Sequence, residues 1–311
     1  MLYGTENAPR TILRLVSETR IDACIDHTGP SLAVAIEGVR ESIVSRTLYY
    51  KQYLNPKDED RSHFTSSWFC SQTRKYNTAS SGCRSRWLTF VAANTEKIAL
   101  GTSVIDMFFH NPVVLGRRFS TLDVFSQGRA IAGLGIGWSK DEYQVSNVPY
   151  ERRGERADEY VQLLKRIWTD DVVEFKGKYY TIPASKIGPK PIHKPHIPIY
   201  LGGFSSNTFK RIVNFNLDGW LASVDGPLEY LDKSIKDLRD YAEKAKKDPN
   251  KFEIITLTFP QIMDSNKSND KRFPMSGSID QIGSDLKKIK GNGCETCSIC
   301  IRWHRRSSSR D

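Results

Sequence analysis

Between residues 97 and 137 two short, glycine-bearing apolar runs flank one amphipathic helix, and this arrangement limits the fold more than anything else in the chain. Residues 97–105 read as a buried strand carrying Gly101-Thr102-Ser103-Val104. Residues 130–135 read as a second strand, running on into Ile136-Gly137-Trp138. The intervening segment starts with Asn111-Pro112, and proline suits the first turn of a helix because its missing N–H is not needed there. Val113, Leu115, Phe119 and Leu122 then recur at helical spacing, and Gln127-Gly128 closes the segment. A strand, a crossover helix and a second strand form the unit of a parallel sheet, since parallel neighbours cannot be joined by a tight turn.

The rhythm continues. Residues 152–168 form the clearest helix, with Ala157, Tyr160, Val161, Leu164, Ile167 and Trp168 on one stripe. Residues 172–182 read as a hairpin turning near Lys176-Gly177, and Pro189, Pro191, Pro195 and Pro198 force an extended approach to the next strand, 199–201. Strands at 218–222 and 252–259 alternate with helices at 228–245 and 279–289. The class is α/β with a parallel sheet.

The words Gly101-Thr102-Ser103-Val104, Asn111-Pro112, Thr121-Leu122-Asp123 and Gly133-Leu134-Gly135-Ile136-Gly137-Trp138 occur in that order. Tyr150-Glu151-Arg152-Arg153-Gly154-Glu155-Arg156, Trp168-Thr169, Pro189-Lys190-Pro191, Leu201-Gly202-Gly203 and Asp218-Gly219-Trp220 follow them. Over about residues 87–260 this series resembles the bacterial-luciferase-like oxidoreductases, which bind FMN or the deazaflavin F420. The resemblance implies a (β/α)8 TIM barrel formed by the single domain 1–311, with the hairpin as an insertion and the active site at the C-terminal ends of the strands. It implies an oxidoreductase or monooxygenase that acts on a small organic substrate by hydride transfer or oxygen activation. A separate flavin reductase and a homodimer are further expectations from the family. The Gly-x-Gly-x-Gly-Trp and Tyr-Glu-Arg-Arg-Gly stretches look most like the F420-dependent subgroup, and FMN stays open.

Gly202-Gly203 ends a strand and opens a helix, whose free N–H groups and dipole attract anions. Ser205 and Ser206 add hydroxyls and an N-cap. The resemblance places the cofactor phosphate at Gly202, Gly203 and Ser205; a plain strand–helix turn is the alternative. Gly133-x-Gly135-x-Gly137 is not a dinucleotide fingerprint, because its third glycine would have to stand at position 138, which is Trp138. The resemblance instead sets Gly135, Gly137 and Trp138 beside the ring, with Trp138 as ordinary core the competing reading. It also implies a bulge at Thr102, Ser103 and Val104, often with a non-proline cis peptide, that supports the ring; a plain buried strand is the alternative. His110 follows a strand end on the catalytic face and is the one candidate proton donor, against a structural or exposed histidine. Arg152, Arg153 and Arg156 suit either a phosphate contact or a solvated face paired with Glu155, Asp158 and Glu159. Asp123 and Arg129 suit a structural ion pair.

The ends differ from the middle. Residues 87–293 hold 20 Lys and 10 Arg, whereas 1–86 and 294–311 together hold 3 Lys and 13 Arg. All six cysteines (Cys24, Cys70, Cys83, Cys294, Cys297 and Cys300) fall in the ends as well. A shifted reading frame over about 22–86 and from about 294 would reverse the Lys/Arg preference and confine the cysteines at once; a divergent N-terminal segment is the competing explanation. Met1-Leu2-Tyr3-Gly4-Thr5 looks like the family's first strand, while Glu37-Gly38-Val39-Arg40-Glu41-Ser42-Ile43-Val44 is followed by neither the Trp nor the Asp-His pair that the family pattern places there. Cys294-x2-Cys297-x2-Cys300 lacks the fourth cysteine of a ferredoxin-type run, so no metal is expected. Disrupted first strands would leave a defective barrel without activity. The net charge of +10 fits a lysine-rich surface and an anionic cofactor, and no nucleic-acid motif accompanies it, so a basic nucleic-acid-binding protein rests on charge alone. No run of 18 apolar residues and no secretion signal are present, which makes the expected location cytoplasmic and away from membranes.

Overall fold

Every pairing in the main sheet is parallel, as the alternation of strands and helices requires. The structure, a computed structural model, describes residues 23–26, 84–93, 95–96, 99–224, 226–258, 261–263, 272–291 and 296–302. The 1–5 and 37–44 stretches, Cys70, Cys83 and Cys294 lie outside them. The sheet order is β1 (Ala23–Asp26), β12 (Thr296–Arg302), β9 (Glu253–Thr258), β8 (Gly219–Val224), β7 (Ile199–Gly202), β4 (Ala130–Gly135) and β2 (Leu100–Gly101), with β3 (Ile105–Asp106) also on β4. The cysteine-bearing tail is therefore the last strand of the sheet, between β9 and β1. Among the described residues the sheet ends at β1 and β2.

Helices cross between the strands: α1 (Arg84–Ala93), α2 (Pro112–Phe125), α3 (Lys140–Val145), α4 (Arg153–Thr169), α5 (Ser206–Asn214), α6 (Leu228–Lys244) and α7 (Ile279–Gly291). Asn111 caps α2 by accepting the N–H groups of Val113 at 2.9 Å and Val114 at 3.3 Å, with Pro112 in the first turn. The insertion is an antiparallel hairpin, β5 (Val173–Lys176) and β6 (Thr181–Ser185). Two short parallel segments, β10 (Gln261–Ile262) and β11 (Ser276–Gly277), complete the order.

One face of the sheet meets the helices. Leu134, Leu201 and Trp220 lie on it, and Trp220 packs edge-on against Phe209 of α5 at 5.1 Å. Trp168 joins α4 to α2 by donating its indole N–H to the Gly116 carbonyl at 3.0 Å. The other face, offset by one residue, carries Gly133, Gly135, Gly202, Leu221 and Ser223.

The strand expected over 97–105 is not continuous. It breaks into β2 and β3, both paired with β4, and residues 102–104 leave the ladder between them with the Ser103–Val104 peptide cis. The deviation is local, because Thr102 stays anchored by its hydroxyl on the Gly133 carbonyl at 2.7 Å.

Candidate active site

The break brings Val104 over the ends of its neighbours. A Cβ on Gly135 would stand 2.6 Å from Val104 Cγ2, and one on Gly202 2.9 Å from Val104 Cγ1. A Cβ on Gly133 would run into the backbone oxygen of Thr102. These three glycines are thus required by a neighbouring strand: they admit the 102–104 segment, and Val104 then forms a shelf across β4 and β7. The resemblance sets Gly135 beside the ring; the space that a Cβ there would fill is taken by Val104. Thr102 is buried and Ser103 half-buried at the same place.

Asp106 follows the shelf. Its Oδ1 lies 2.8 Å from the Cβ position of Gly135, and its carboxyl carbon 3.5 Å from that of Gly137. Gly137 takes φ +68°, a conformation that other residues adopt at a cost. Trp138 is 56% exposed, which rules out an ordinary core role. At the β7 end Gly203 has φ +114°, and Gly203, Phe204, Ser205, Ser206 and Asn207 are all exposed. Ser205 caps α5 by accepting the Thr208 N–H at 3.2 Å, leaving the earlier N–H groups of the first turn facing outward. The Trp220 indole holds the Gly203 carbonyl at 2.8 Å, and Phe204 stands edge-on to it at 5.3 Å. On β8, beyond β7 from the Val104 shelf, Ser223, two residues after Leu221 on the same face, has a buried hydroxyl without a hydrogen-bond partner among the described residues.

His110 sits apart from this cluster. Its contacts run to the helices: Arg118 of α2 faces its Nδ1 at 3.5 Å, and Tyr160 of α4 donates to its carbonyl at 3.0 Å. Burial first, and the Arg118 charge second, hold the imidazole below its usual pKa, so it is neutral near pH 7. The arginines of α4 also differ from expectation. Arg153 donates to the Gly137 carbonyl at 2.7 Å and Arg156 to the Pro149 carbonyl. The helix's acids reach outward instead. Glu155 takes Lys178 at 2.8 Å, Glu159 takes the N–H groups of Lys178, Tyr179 and Tyr180, and Asp158 pairs with Arg211 of α5. Asp123 and Arg129 likewise engage backbone, and Arg129 also donates to the Thr95 hydroxyl at 3.1 Å. Asp123 accepts the N–H groups of Ala130 and His193, and Arg129 donates to the Ala92, Thr95 and Ser126 carbonyls.

The sequence model of the luciferase-like monooxygenases matches residues 65–279, more than half of the chain. This chain belongs to the luciferase-like monooxygenase family. The match begins at residue 65, inside the Arg-rich, Lys-poor N-terminal stretch and upstream of the point at which the motifs become readable. A curated relative, the F420-dependent glucose-6-phosphate dehydrogenase of Amycolatopsis mediterranei, is 30% identical over 204 residues, 63% of this chain and 60% of its own length. The chain spans about half the length of the curated relatives it matches. Among solved structures, the monooxygenase RslO1 of Streptomyces bottropensis aligns with TM-score 0.61 at 20% identity, covering 70% of this chain and 74% of that one. The coenzyme F420-dependent tetrahydromethanopterin reductase of Methanopyrus kandleri aligns with TM-score 0.62 at 17% identity, covering 71% and 82%. These structures share the luciferase-like barrel fold. Among the described residues no helix is long and apolar enough to cross a membrane.

Two side chains that sequence patterns did not single out complete the site: Asp106 beside the Val104 shelf, and Tyr143 behind the Gly137 loop. An aspartate five residues after Gly101 gives no periodic signal, so only the fold shows it.

Proposed function

We propose that this chain is an oxidoreductase that holds a flavin-type cofactor, F420 or FMN, across the C-terminal ends of β4, β7 and β8. The observation that carries this is the Val104 shelf, seated on Gly135 and Gly202 next to the exposed first turn of α5. The residues fit such a group. Gly203 and the α5 N–H groups suit its phosphate, Val104 and Gly137 suit a flat ring, and the Ser223 hydroxyl on the neighbouring β8, without a partner among the described residues, offers a further polar contact. When bound, the cofactor would supply hydride exchange or oxygen activation. The chain's own residues would bind and orient: α5 takes the anionic end, and Trp138 and Phe204 cover the mouth and exclude water. F420 is favoured over FMN because two of the curated relatives, one of them matching over 204 residues, are named for it. The substrate would be a small organic molecule entering beside Asp106 and Trp138.

Separate titrations with F420 and FMN, followed by fluorescence and by melting temperature, test this. Saturable binding with a raised melting temperature is expected, since a ligand that binds only the folded state stabilises it. Absence of binding by a chain that melts cooperatively refutes the cofactor, and absence of a cooperative melt points to a barrel left incomplete by its atypical ends.

A further inference from the structure

The Ile136-Gly137-Trp138 loop is held from behind by side chains of the next segment. Tyr143, 1% exposed, donates its hydroxyl to the Ile136 carbonyl. Arg153 donates to the Gly137 carbonyl at 2.7 Å, so adjacent carbonyls of one loop are tied to two side chains. The Arg153 guanidinium carbon lies over the Tyr150 ring, 3.7 Å from its centroid, and 5.8 Å from that of Tyr143. Tyr143 in turn meets Tyr150 at 5.1 Å and Phe109 at 5.1 Å, both edge-on. Burial pushes the Tyr143 phenol up to about 12, the nearby Arg153 and Arg156 charges pull it down and Asp106 pushes it up, so it remains a neutral donor.

From this arrangement we infer that Arg153 is a positioning residue: stacked on Tyr150, it latches the Gly137 loop and so sets where Trp138 stands at the mouth of the site. The latch acts through the loop. Its effect on ligands rests on the cofactor assignment above, but its effect on the loop does not. Lysine does not replace it, because an ammonium neither stacks as a plane nor offers the guanidinium fork. Loss of one charge-assisted hydrogen bond and one cation–π contact predicts about a tenfold or larger effect on whatever depends on loop position.

Two measurements test it. Hydrogen exchange on the ligand-free chain should show the amides of 136–138 exchanging about tenfold faster in Arg153→Lys and Arg153→Ala, with α5 unchanged. Unchanged exchange at 136–138 overturns the latch whether or not any cofactor binds. Affinity for F420 or FMN, whichever the parent chain binds, is then measured for Arg153→Ala, Trp138→Ala and the double variant. If Arg153 acts by placing Trp138, the double variant is no weaker than Arg153→Ala alone. Multiplying losses, or parent-like affinity in Arg153→Ala, overturns the inference.

Discussion

Replacing Gly135 by alanine should damage the shelf by an amount that the geometry sets. The new methyl would stand 2.6 Å from Val104 Cγ2, 0.8 Å inside the 3.4 Å at which ordinary contact begins, and 2.8 Å from Asp106 Oδ1. Neither obstacle is backbone, so Val104 and Asp106 can give way and the chain still folds. Inserting a methyl into such a fit costs about 1–3 kcal/mol. At about 2–4 °C per kcal/mol, the melting temperature should fall by roughly 2–12 °C. Val104→Ala removes the obstructing methyls, so the double variant should be less destabilised than the two single variants added, by at least about 1 kcal/mol. Gly133→Ala meets a backbone oxygen that cannot move aside, and should give no folded protein. Gly291→Ala, with nothing within 4 Å, is the control and should change stability by about 0.5 kcal/mol or less. Calorimetric melting of the four single variants and the double decides the matter. If Gly135→Ala melts within about 1 °C of the parent, or the pair adds simply, the Val104 shelf is wrong.

Asp285, 2% exposed, holds Arg272 at 2.6 and 2.7 Å and accepts the Met275 N–H at 2.8 Å; Asp285→Ala strands both and should cost about 3–5 kcal/mol in urea unfolding, while a loss under about 1 kcal/mol counts against it. His110 has its pKa lowered in the fold, so the unfolded chain takes up the proton first. Its contribution to stability is therefore present above about pH 6.5 and is lost as pH falls below that value toward the folded pKa. His110→Asn should flatten the fall in melting temperature between about pH 6.5 and 5.5 relative to the parent, and an unchanged slope contradicts the assignment. Glu159 accepts three backbone N–H groups of the hairpin, so Glu159→Ala should speed tryptic cleavage at Lys176 and Lys178 several-fold or more, and parent-like cleavage argues against the tether.

Much of the fold was readable because burial leaves a period. The helix expected over 112–125 is α2 (Pro112–Phe125), the strand expected over 130–135 is β4, and the helix expected over 152–168 is α4 (Arg153–Thr169). Each has an apolar stripe or run with a capping or glycine signal at its end. The family words fall at the C-terminal ends of β4 and β7, where the Val104 shelf stands. What they could not give was the reason for the glycines. Thr102 and Gly133 are 31 residues apart, and no local pattern says that one strand's backbone passes over another's Cα. The arginines of α4 were misread for a similar reason. Charges three and four residues apart suggest pairing along a helix, but here tertiary partners win, because part-buried loop carbonyls need donors more than an exposed glutamate needs a cation.

The site so assembled has electrical direction. At the β7 end the first turn of α5 presents N–H groups and the positive end of a dipole; at the β3 and β4 end stands the Asp106 carboxylate, beside Gly135 and Gly137. If the site holds the proposed cofactor, an elongated ligand with one anionic terminus would be favoured in one orientation, its charged end at Gly203 and its uncharged or hydrogen-bond-donating end at Asp106. Reversal would set anion against carboxylate and leave the helix terminus without a partner. Asp106→Asn keeps the shape and removes the opposing charge, so it should weaken the preference for that orientation while leaving phosphate affinity at α5 intact. Competition by inorganic phosphate separates the two. Phosphate should compete equally well in parent and Asp106→Asn, and a change in its competition would mean that Asp106 belongs to the anion site itself.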